Sequence, residues 1–134
     1  MSTKIFVNLP VKDLPASRAF FAAAGFTFNE QFSDDNAACL VVSEDIFAML
    51  LVEPFFRTFT DKEIADTTRT TAAIVALGLD DKADVDRIAD AALAGGGSDA
   101  QKTAHESPMY TRSFYDLDGH HWELFWLDPA MAQG

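Results

Sequence analysis

The sequence predicts an α+β fold built from two tandem modules, each in the order strand, helix, strand, strand, strand (βαβββ). Three observations support this prediction. Short runs alternate between apolar and polar residues, which is typical of strands, and two longer stretches carry apolar residues at helical spacing. Both patterns recur in the same order about half a chain apart within the 134 residues. Such a recurrence indicates a duplicated module.

The repeat is clearest at the two ends of each module. A shift of 68 residues lays the alternating run 7–13 over 75–81, and each run closes on an aspartate. A shift of 75 lays residues 47–54 over 122–129, where both runs have an aromatic start, an apolar body and an acid-proline end. We therefore predict one domain over residues 1–134, with module 1 at about 3–54, a linker at 55–71 and module 2 at about 72–129.

In module 1, residues 5–11 alternate as a strand does. Asp13 is placed to cap the next helix, because its carboxylate can accept the free amides of the first turn. Gly25 can end that helix with a backbone conformation that other residues avoid. The helix buries residues at i, i+1 and i+4, namely Phe20, Phe21 and Ala24. Three further strands are predicted at 26–32, 37–42 and 46–52.

Module 2 repeats this order. Its helix has apolar residues at i, i+3, i+4, i+7 and i+8, which are Val85, Ile88, Ala89, Ala92 and Leu93. The triple glycine at 95–97 ends the helix. Strands are predicted at 110–115 and 121–127, joined by a tight turn at Asp118-Gly119. Residues 98–107 are polar, and whether they hold a short strand is left open.

The linker carries its own signals. Thr60 and Glu63 match a capping box before Ile64, which predicts a short helix inside the linker. Three phenylalanines lie close together, and we expect them to pack over a cavity mouth or against a partner rather than in water. They are Phe55, Phe56 and Phe59.

Composition and charge exclude several classes. Ten basic and 21 acidic side chains give a net charge of −11, which repels nucleic acid and anionic lipid and leaves solubility or attraction of small cations as its role. No run reaches the roughly 18 apolar residues of a membrane span, and the N-terminus lacks signal-peptide features. We therefore expect a cytoplasmic protein without nucleic-acid or membrane partners. Cys39 is the only cysteine, so no intramolecular disulfide forms, and we expect it to be a buried bystander.

The two segments 7–14 (VNLPVKDL) and 116–124 (DLDGHHWEL), in this tandem layout, resemble the vicinal oxygen chelate superfamily. That superfamily includes glyoxalase I, extradiol dioxygenases, fosfomycin resistance proteins and bleomycin resistance proteins. The resemblance covers nearly the whole chain. It implies that each module curls its strands into a half-barrel cup, that paired modules enclose a cavity, and that the protein is a homodimer.

Most enzymes of the superfamily hold a divalent metal with side chains of the first and last strands. Here the resemblance places those positions on Phe6, Ile74, Ala48 and Glu123. Three of them are apolar and have no lone pairs for a divalent ion. We therefore predict no cofactor and the loss of the usual metal site. The alternative is a displaced site formed by Glu123 and His121 with Asn8 or His105.

Strand alternation predicts which residues share the cavity face with those positions. The predicted ligand-binding residues are Phe6, Asn8, Leu50, Tyr110, Arg112, His121 and Phe125. Glu123 is the candidate catalytic residue, as a general base of raised proton affinity or as the partner of a cationic ligand. A purely structural ion pair or hydrogen bond with Arg112 or Tyr110 is the competing interpretation.

Four residues on or near this face have other interpretations. Arg112 either clamps a ligand carboxylate or pairs with Asp116 or Asp118. Both aspartates are interpreted as turn formers rather than a catalytic pair. His120 is expected in solvent at the turn, because it and the next residue must face opposite sides of a strand.

Two functions remain open. In one, the protein encloses a small, amphipathic or cationic molecule without a metal, in the manner of bleomycin resistance proteins. In the other, it is a glyoxalase I-like enzyme or lyase with a rearranged divalent site, in which Glu123 moves a proton. A metal-free isomerase that uses Glu123 alone is a third possibility. The sequence does not decide whether the protein is an enzyme.

Overall fold

Each half of the chain folds into a four-stranded mixed sheet with one long helix. The computed structural model describes residues 3–100 and 110–129. The chain divides into two units, residues 1–66 and 67–134, and the division lies inside the predicted linker. The predicted α+β class and the strand-helix-strand order of both halves are confirmed. No helix within the described residues is long and apolar enough to cross a lipid bilayer.

The first unit has one long helix, four strands and a short helical segment. The elements are β1 (Ile5–Val11), α1 (Leu14–Ala23), β2 (Thr27–Asn29), β3 (Ala37–Val41), β4 (Ile46–Val52) and the single turn α2 (Glu53–Phe56). The strands lie in the sheet in the order β1-β4-β3-β2, with β1 parallel to β4 and the other pairs antiparallel. The predicted first, third and fourth strands are thus present. The predicted second strand ends early, because a 3₁₀ turn at Glu30–Phe32 follows Asn29.

The local signals of the first helix act as expected. The Asp13 carboxylate accepts a hydrogen bond from the backbone N–H of Ala16 at 3.0 Å. Gly25 has a φ of 100°, a conformation that side chains disfavour. The face of the sheet toward α1 is closed by residues of β3 and β4 that are at most 2% exposed, namely Ala38, Leu40, Ala48 and Leu50.

The second unit repeats the same topology. Its elements are β5 (Ile74–Leu79), α3 (Lys82–Ala94), β6 (Ser98–Asp99), β7 (Thr111–Tyr115) and β8 (His121–Trp126). The strands lie in the sheet in the order β5-β8-β7-β6, with β5 parallel to β8. Asp81 caps α3 by accepting from the backbone N–H of Ala83 at 2.9 Å. The sequence did not decide whether residues 98–107 hold a short strand. Two of them form β6, and residues 101–107 lie outside the described part of the chain.

The core of the second unit lies between α3 and one face of its sheet. Phe114 and Trp122 are each 1% exposed, and their rings stack in parallel with centroids 6.3 Å apart. Leu124 is fully buried beside them. On the α3 side, Val85 and Ala92 are fully buried in the same layer. Burial of these apolar side chains is the main stabilisation of the unit.

The linker helix was predicted in the wrong place. Residues 60–65 form no helix; the helical segment lies earlier, as α2 and a 3₁₀ turn at Arg57–Phe59. Thr60 caps only a local bend, accepting from the N–H of Lys62 at 3.2 Å. Pro54 suits the first turn of α2, whereas the capping box precedes only two apolar residues and offers too little buried surface to offset the cost of helix nucleation.

Candidate functional site

Each sheet has one face toward its own helix and one face away from it, which we call the far face. In the second unit, strand register assigns the far face, because residues paired across neighbouring strands lie on the same side. Arg112, Phe114, Trp122 and Leu124 lie toward α3. The far face therefore carries Ile74, Ala76, Gly78, Thr111, Ser113, Tyr115, His121, Glu123 and Phe125.

His121 and Glu123 are the central polar side chains of this far face. They lie two residues apart on β8, and both are partly buried. Nε2 of His121 is fully buried and has no hydrogen-bond partner among the described residues. Within the same residues, the Glu123 carboxylate takes part in none of the hydrogen bonds or ion pairs that α3 and β7 form. A buried polar atom without a partner is unusual in a folded protein.

The surroundings of this pair are mainly apolar or aromatic, with Ser113 of β7 opposite Glu123 in the antiparallel register. Ile74 and Ala76 of β5 lie beside His121 and Glu123 in the parallel register. The ring of Tyr115 lies 5.2 Å from that of His121, measured between centroids. Phe125 lies against Gly78, where an added Cβ would come within 2.9 Å of the ring. Sequence alternation had predicted the shared face of His121, Glu123 and Phe125.

In the first unit, the far face carries the predicted residues Phe6 and Asn8. Phe6 is 47% exposed and stacks on Phe47 of β4, with centroids 4.8 Å apart and planes 11° apart. The Asn8 side-chain amide donates to the carbonyl of Phe6 at 3.2 Å. This face is therefore an aromatic surface with one amide group.

Leu50 does not lie on this face. It is fully buried on the side toward α1, as is Ala48, because β1 and β4 pair with Phe6 opposite Phe47 and Leu9 opposite Leu50. The prediction that Leu50 lines a ligand cavity is corrected accordingly. The side chains of β4 that share the far face are Phe47, Met49 and Leu51.

The strand register also corrects the alignment of the two modules that the sequence predicted. Phe6 pairs with Phe47, and Ile74 pairs with His121. The first strands are thus related by 68 residues (6 to 74) but the last strands by 74 (47 to 121), not 75. A slip of one residue exchanges the two faces of a strand. The counterpart of Glu123 in the first unit is therefore Met49 rather than Ala48.

Tyr110 and Arg112 lie on the opposite side of the sheet from Glu123. Nη1 of Arg112 donates to Asp86 at 3.1 Å and to Asp90 at 2.9 Å, and the Tyr110 hydroxyl donates to Asp86. Both acceptors belong to α3. These contacts correct the prediction that Tyr110 and Arg112 line the ligand cavity. They also correct the alternatives in which Glu123 pairs with Arg112 or Tyr110 and in which Arg112 pairs with Asp116 or Asp118.

The turn before β8 is more buried than predicted. His120 is 8% exposed instead of solvated, and Asp116 is 6% exposed. The Asp116 carboxylate accepts from the N–H groups of Asp118 and His120 and from the indole N–H of Trp122. Burial raises the pKa of Asp116, although His120 and these hydrogen bonds act in the opposite direction. Asp116 is thus a turn former, as predicted, and it also anchors Trp122.

Cys39 and the linker phenylalanines lie in the first unit. Cys39 has no exposed surface, and burial raises the pKa of its thiol. A buried thiol of raised pKa is a poor nucleophile. Phe59 is 69% exposed and packs edge-on against Phe55, with ring centroids 5.1 Å apart.

The donor set of the far faces does not suit the divalent metal that the resemblance suggests. Phe6, Ile74 and Met49 occupy three of the four expected positions, and they present two hydrocarbon groups and a thioether. Glu123 and His121 add two donors. Within the described residues, no three His, Cys, Asp or Glu side chains gather as a metal-binding group. His105, a predicted further donor, lies outside those residues.

The structure shows a cavity that the sequence did not predict. It has a volume of about 270 Å³ and lies in the second unit, lined by residues 67–71, Ser98, Tyr115 and Gly119. The sequence signal for it is the run Thr-Thr-Arg-Thr-Thr at 67–71, where four hydroxyl groups flank one guanidinium. Sequence reasoning passed over this run because it lies in a segment without strand or helix periodicity.

The family comparison matches the first module. Residues 3–43 match the family model described as bleomycin resistance protein-like N-terminal. Among curated proteins, none matches the chain significantly.

Solved structures share the fold over nearly the whole chain. A hypothetical protein, SA1046 from S. aureus, is 25% identical with a TM-score of 0.77, covering 95% of both chains. A glyoxalase-related enzyme from Fulvimarina pelagi is 17% identical with a TM-score of 0.76, covering 95% of this chain and 89% of its own. The fosfomycin resistance protein FosX from Mesorhizobium loti is 16% identical with a TM-score of 0.68, covering 100% and 99%. The family model at residues 3–43 and the fold shared across the chain together confirm the resemblance to the vicinal oxygen chelate superfamily.

Proposed function

We propose that this protein binds a small cationic or amphipathic molecule on the far face of its second unit, without a divalent metal. The observation that carries the proposal is the pair His121 and Glu123 on a mainly apolar and aromatic face, where Nε2 of His121 is buried without a hydrogen-bond partner among the described residues. Small-molecule sites typically have apolar walls and a small number of polar groups that point toward the same ligand. The family model, bleomycin resistance protein-like, is consistent with binding rather than chemistry.

Charge supports a cationic ligand. Glu123 can pair with an ammonium or guanidinium group, and such charge-assisted hydrogen bonds are stronger than neutral ones. Nε2 of His121 can donate to or accept from the same molecule, according to its tautomer. The net charge of −11 favours the approach of cations from solution.

Aromatic groups support the amphipathic part of the ligand. Phe125 and Tyr115 border the polar pair on the far face. Aromatic rings attract cations through their electron-rich faces and bury large apolar areas.

A metalloenzyme is the alternative function, and one observation favours it. A histidine nitrogen without a partner, next to a carboxylate on the same strand face, is also what a displaced metal site requires. Phe6, Ile74 and Met49 argue against it, because they replace the donors that a complete site needs. Under either function, we still predict a homodimer, a cytoplasmic location and no nucleic-acid partner.

Binding of aromatic amines to the variant Glu123→Gln tests the proposal. We expect the amines to bind the variant about tenfold more weakly, because a charge-assisted hydrogen bond contributes about 1.5 kcal/mol or more. Neutral isosteres of the same amines should bind both proteins equally. Isothermal titration calorimetry measures both sets, and Glu63→Gln, which removes the same charge from an exposed position, serves as the control. Equal affinity of wild type and Glu123→Gln for every amine would contradict the proposal.

Metal analysis of untagged protein separates the two functions. We expect no stoichiometric nickel, zinc, iron or manganese by elemental mass spectrometry. A stoichiometric ion that is retained by wild type and lost from Glu123→Gln would favour the metalloenzyme.

A further inference from the structure

We propose that the cavity bounded by residues 67–71, Ser98, Tyr115 and Gly119 binds a small oxyanion, of the phosphate or carboxylate type. This cavity adjoins the pair His121 and Glu123 through Tyr115, whose ring lies 5.2 Å from that of His121, but it takes a ligand group of opposite charge. Its volume of about 270 Å³ exceeds the roughly 30 Å³ that one water occupies in the liquid, so a small ion with several oxygens fits.

The lining has the chemistry that oxyanions require. Hydroxyl groups come from the four threonines of residues 67–71, from Ser98 and from Tyr115, and Arg69 contributes a guanidinium. A guanidinium presents a planar fork of donors that matches two oxygens of a carboxylate or phosphate. The Thr67 hydroxyl is engaged by the Asp118 carbonyl, so the donors offered to a ligand are Arg69 and the hydroxyls of Thr71, Ser98 and Tyr115.

The charge of the lining differs from that of the whole chain. The sequence has 21 acidic and 10 basic side chains, yet none of the described lining residues is acidic and one is basic. No ion pair joins Arg69 to another described residue, whereas Arg18, Arg57, Arg87 and Arg112 each have a carboxylate within 4 Å. A cation left without a carboxylate in so acidic a protein is available to a ligand anion.

The backbone holds the cavity open before any ligand arrives. The Thr67 hydroxyl donates to the carbonyl of Asp118, which ties the threonine run to the turn between β7 and β8. Gly119 in that turn has a φ of 86°, and an added Cβ would lie 2.6 Å from the Thr67 carbonyl oxygen. Only glycine allows this approach, so the turn and the run are packed in one arrangement. A preformed site binds without the entropic cost of ordering a loop.

Titration with inorganic phosphate, followed by ¹H–¹⁵N NMR, tests the proposal. We expect saturable shifts of the amides at 67–71, Ser98 and Gly119. The variant Arg69→Met should bind phosphate at least about tenfold more weakly, because it loses charge-assisted hydrogen bonds. Arg87→Met removes the same charge from the same unit outside the cavity, and we expect it to bind phosphate within about twofold of wild type. Thr71→Val should weaken binding by a smaller factor.

Acetate as a second titrant distinguishes the two kinds of oxyanion: tighter binding of phosphate identifies a tetrahedral anion site, and tighter binding of acetate a carboxylate site. The two proposals can fail separately although Tyr115 borders both sites, because Glu123→Gln tests the binding of amines and Arg69→Met tests the binding of phosphate. Shifts that do not saturate, or an equal loss in Arg69→Met and Arg87→Met, would overturn it.

Discussion

Asp116 shows how one side chain can organise a turn. Its two carboxylate oxygens accept from two backbone N–H groups at 2.9 and 3.0 Å and from the indole N–H of Trp122 at 2.9 Å. Trp122 is 1% exposed and stacks on Phe114. The carboxylate therefore fixes the core residue of β8 as well as the turn, and it indirectly fixes the residues on either side, His121 and Glu123.

We expect Asp116→Asn to lower the free energy of unfolding by about 1–3 kcal/mol, because the amide cannot accept from all three donors. The effect depends on pH. Since burial raises the pKa of Asp116 above 3.8, the folded state binds its proton more tightly than the unfolded state. The stabilisation is then fully present below pH 3.8 and is lost as pH rises through the folded pKa.

Urea denaturation of both proteins from pH 3.8 to neutral measures this dependence. The difference in unfolding free energy between wild type and Asp116→Asn should narrow as pH rises. Asp80→Asn, at an exposed position, is the control and should stay within about 0.5 kcal/mol of wild type. A difference that widens toward neutral pH would show that folding lowers the pKa of Asp116 instead of raising it.

At the scale of elements, α3 and β7 are joined by a group of polar contacts. Arg112 and Tyr110 both donate to Asp86, and Arg112 also donates to Asp90 one turn further along α3. The hydrogen bonds from Tyr110 and Arg112 lower the pKa of Asp86. These contacts explain why two residues that the sequence suggested for ligand binding are used to hold the helix on the sheet.

We expect Arg112→Met to destabilise the fold by about 1 kcal/mol, because the ion pairs are partly exposed and screened. Since the pKa of Asp86 is lowered below 3.8, its stabilisation is present above pH 3.8 and is lost as pH falls through the folded pKa. Chemical denaturation at neutral and acidic pH measures the loss. Arg87→Met, whose ion pair with Asp84 is local to α3, should change stability by less than about 0.5 kcal/mol. Equal losses of stability in the two variants would contradict the inference that Arg112 holds α3 on the sheet.

At the scale of the molecule, net charge governs encounter with ligands. With a charge of −11, we expect association rates of cationic amines to fall about tenfold or more between low salt and 1 M salt. The Debye length shrinks over that range from about 30 to 3 Å, which screens the attraction. Stopped-flow fluorescence measures the rates, with neutral isosteres as controls. Rates for amines that are independent of salt would exclude electrostatic steering.

Much of the fold could be read from the chain because its signals are local. Asp13 and Asp81 cap helices from the positions predicted, Gly25 ends α1, and alternation located β1, β3 and β4. The capping box at Thr60 failed because a helix also needs a buried face, which depends on the rest of the unit. Alternation likewise placed His121, Glu123 and Phe125 on one face, since neighbours on one strand need no knowledge of other strands.

The sequence by itself determined the duplicated α+β architecture and the negative charge, because these follow from residue identity and periodicity. Only the tertiary structure decided which face each strand turns to its neighbours. It moved the counterpart of Glu123 from Ala48 to Met49, buried Leu50 and tied Arg112 to α3. It also gathered the threonine run, Ser98 and Tyr115 around a cavity. Register and long-range packing couple residues that are distant along the chain, so no local pattern carries that information.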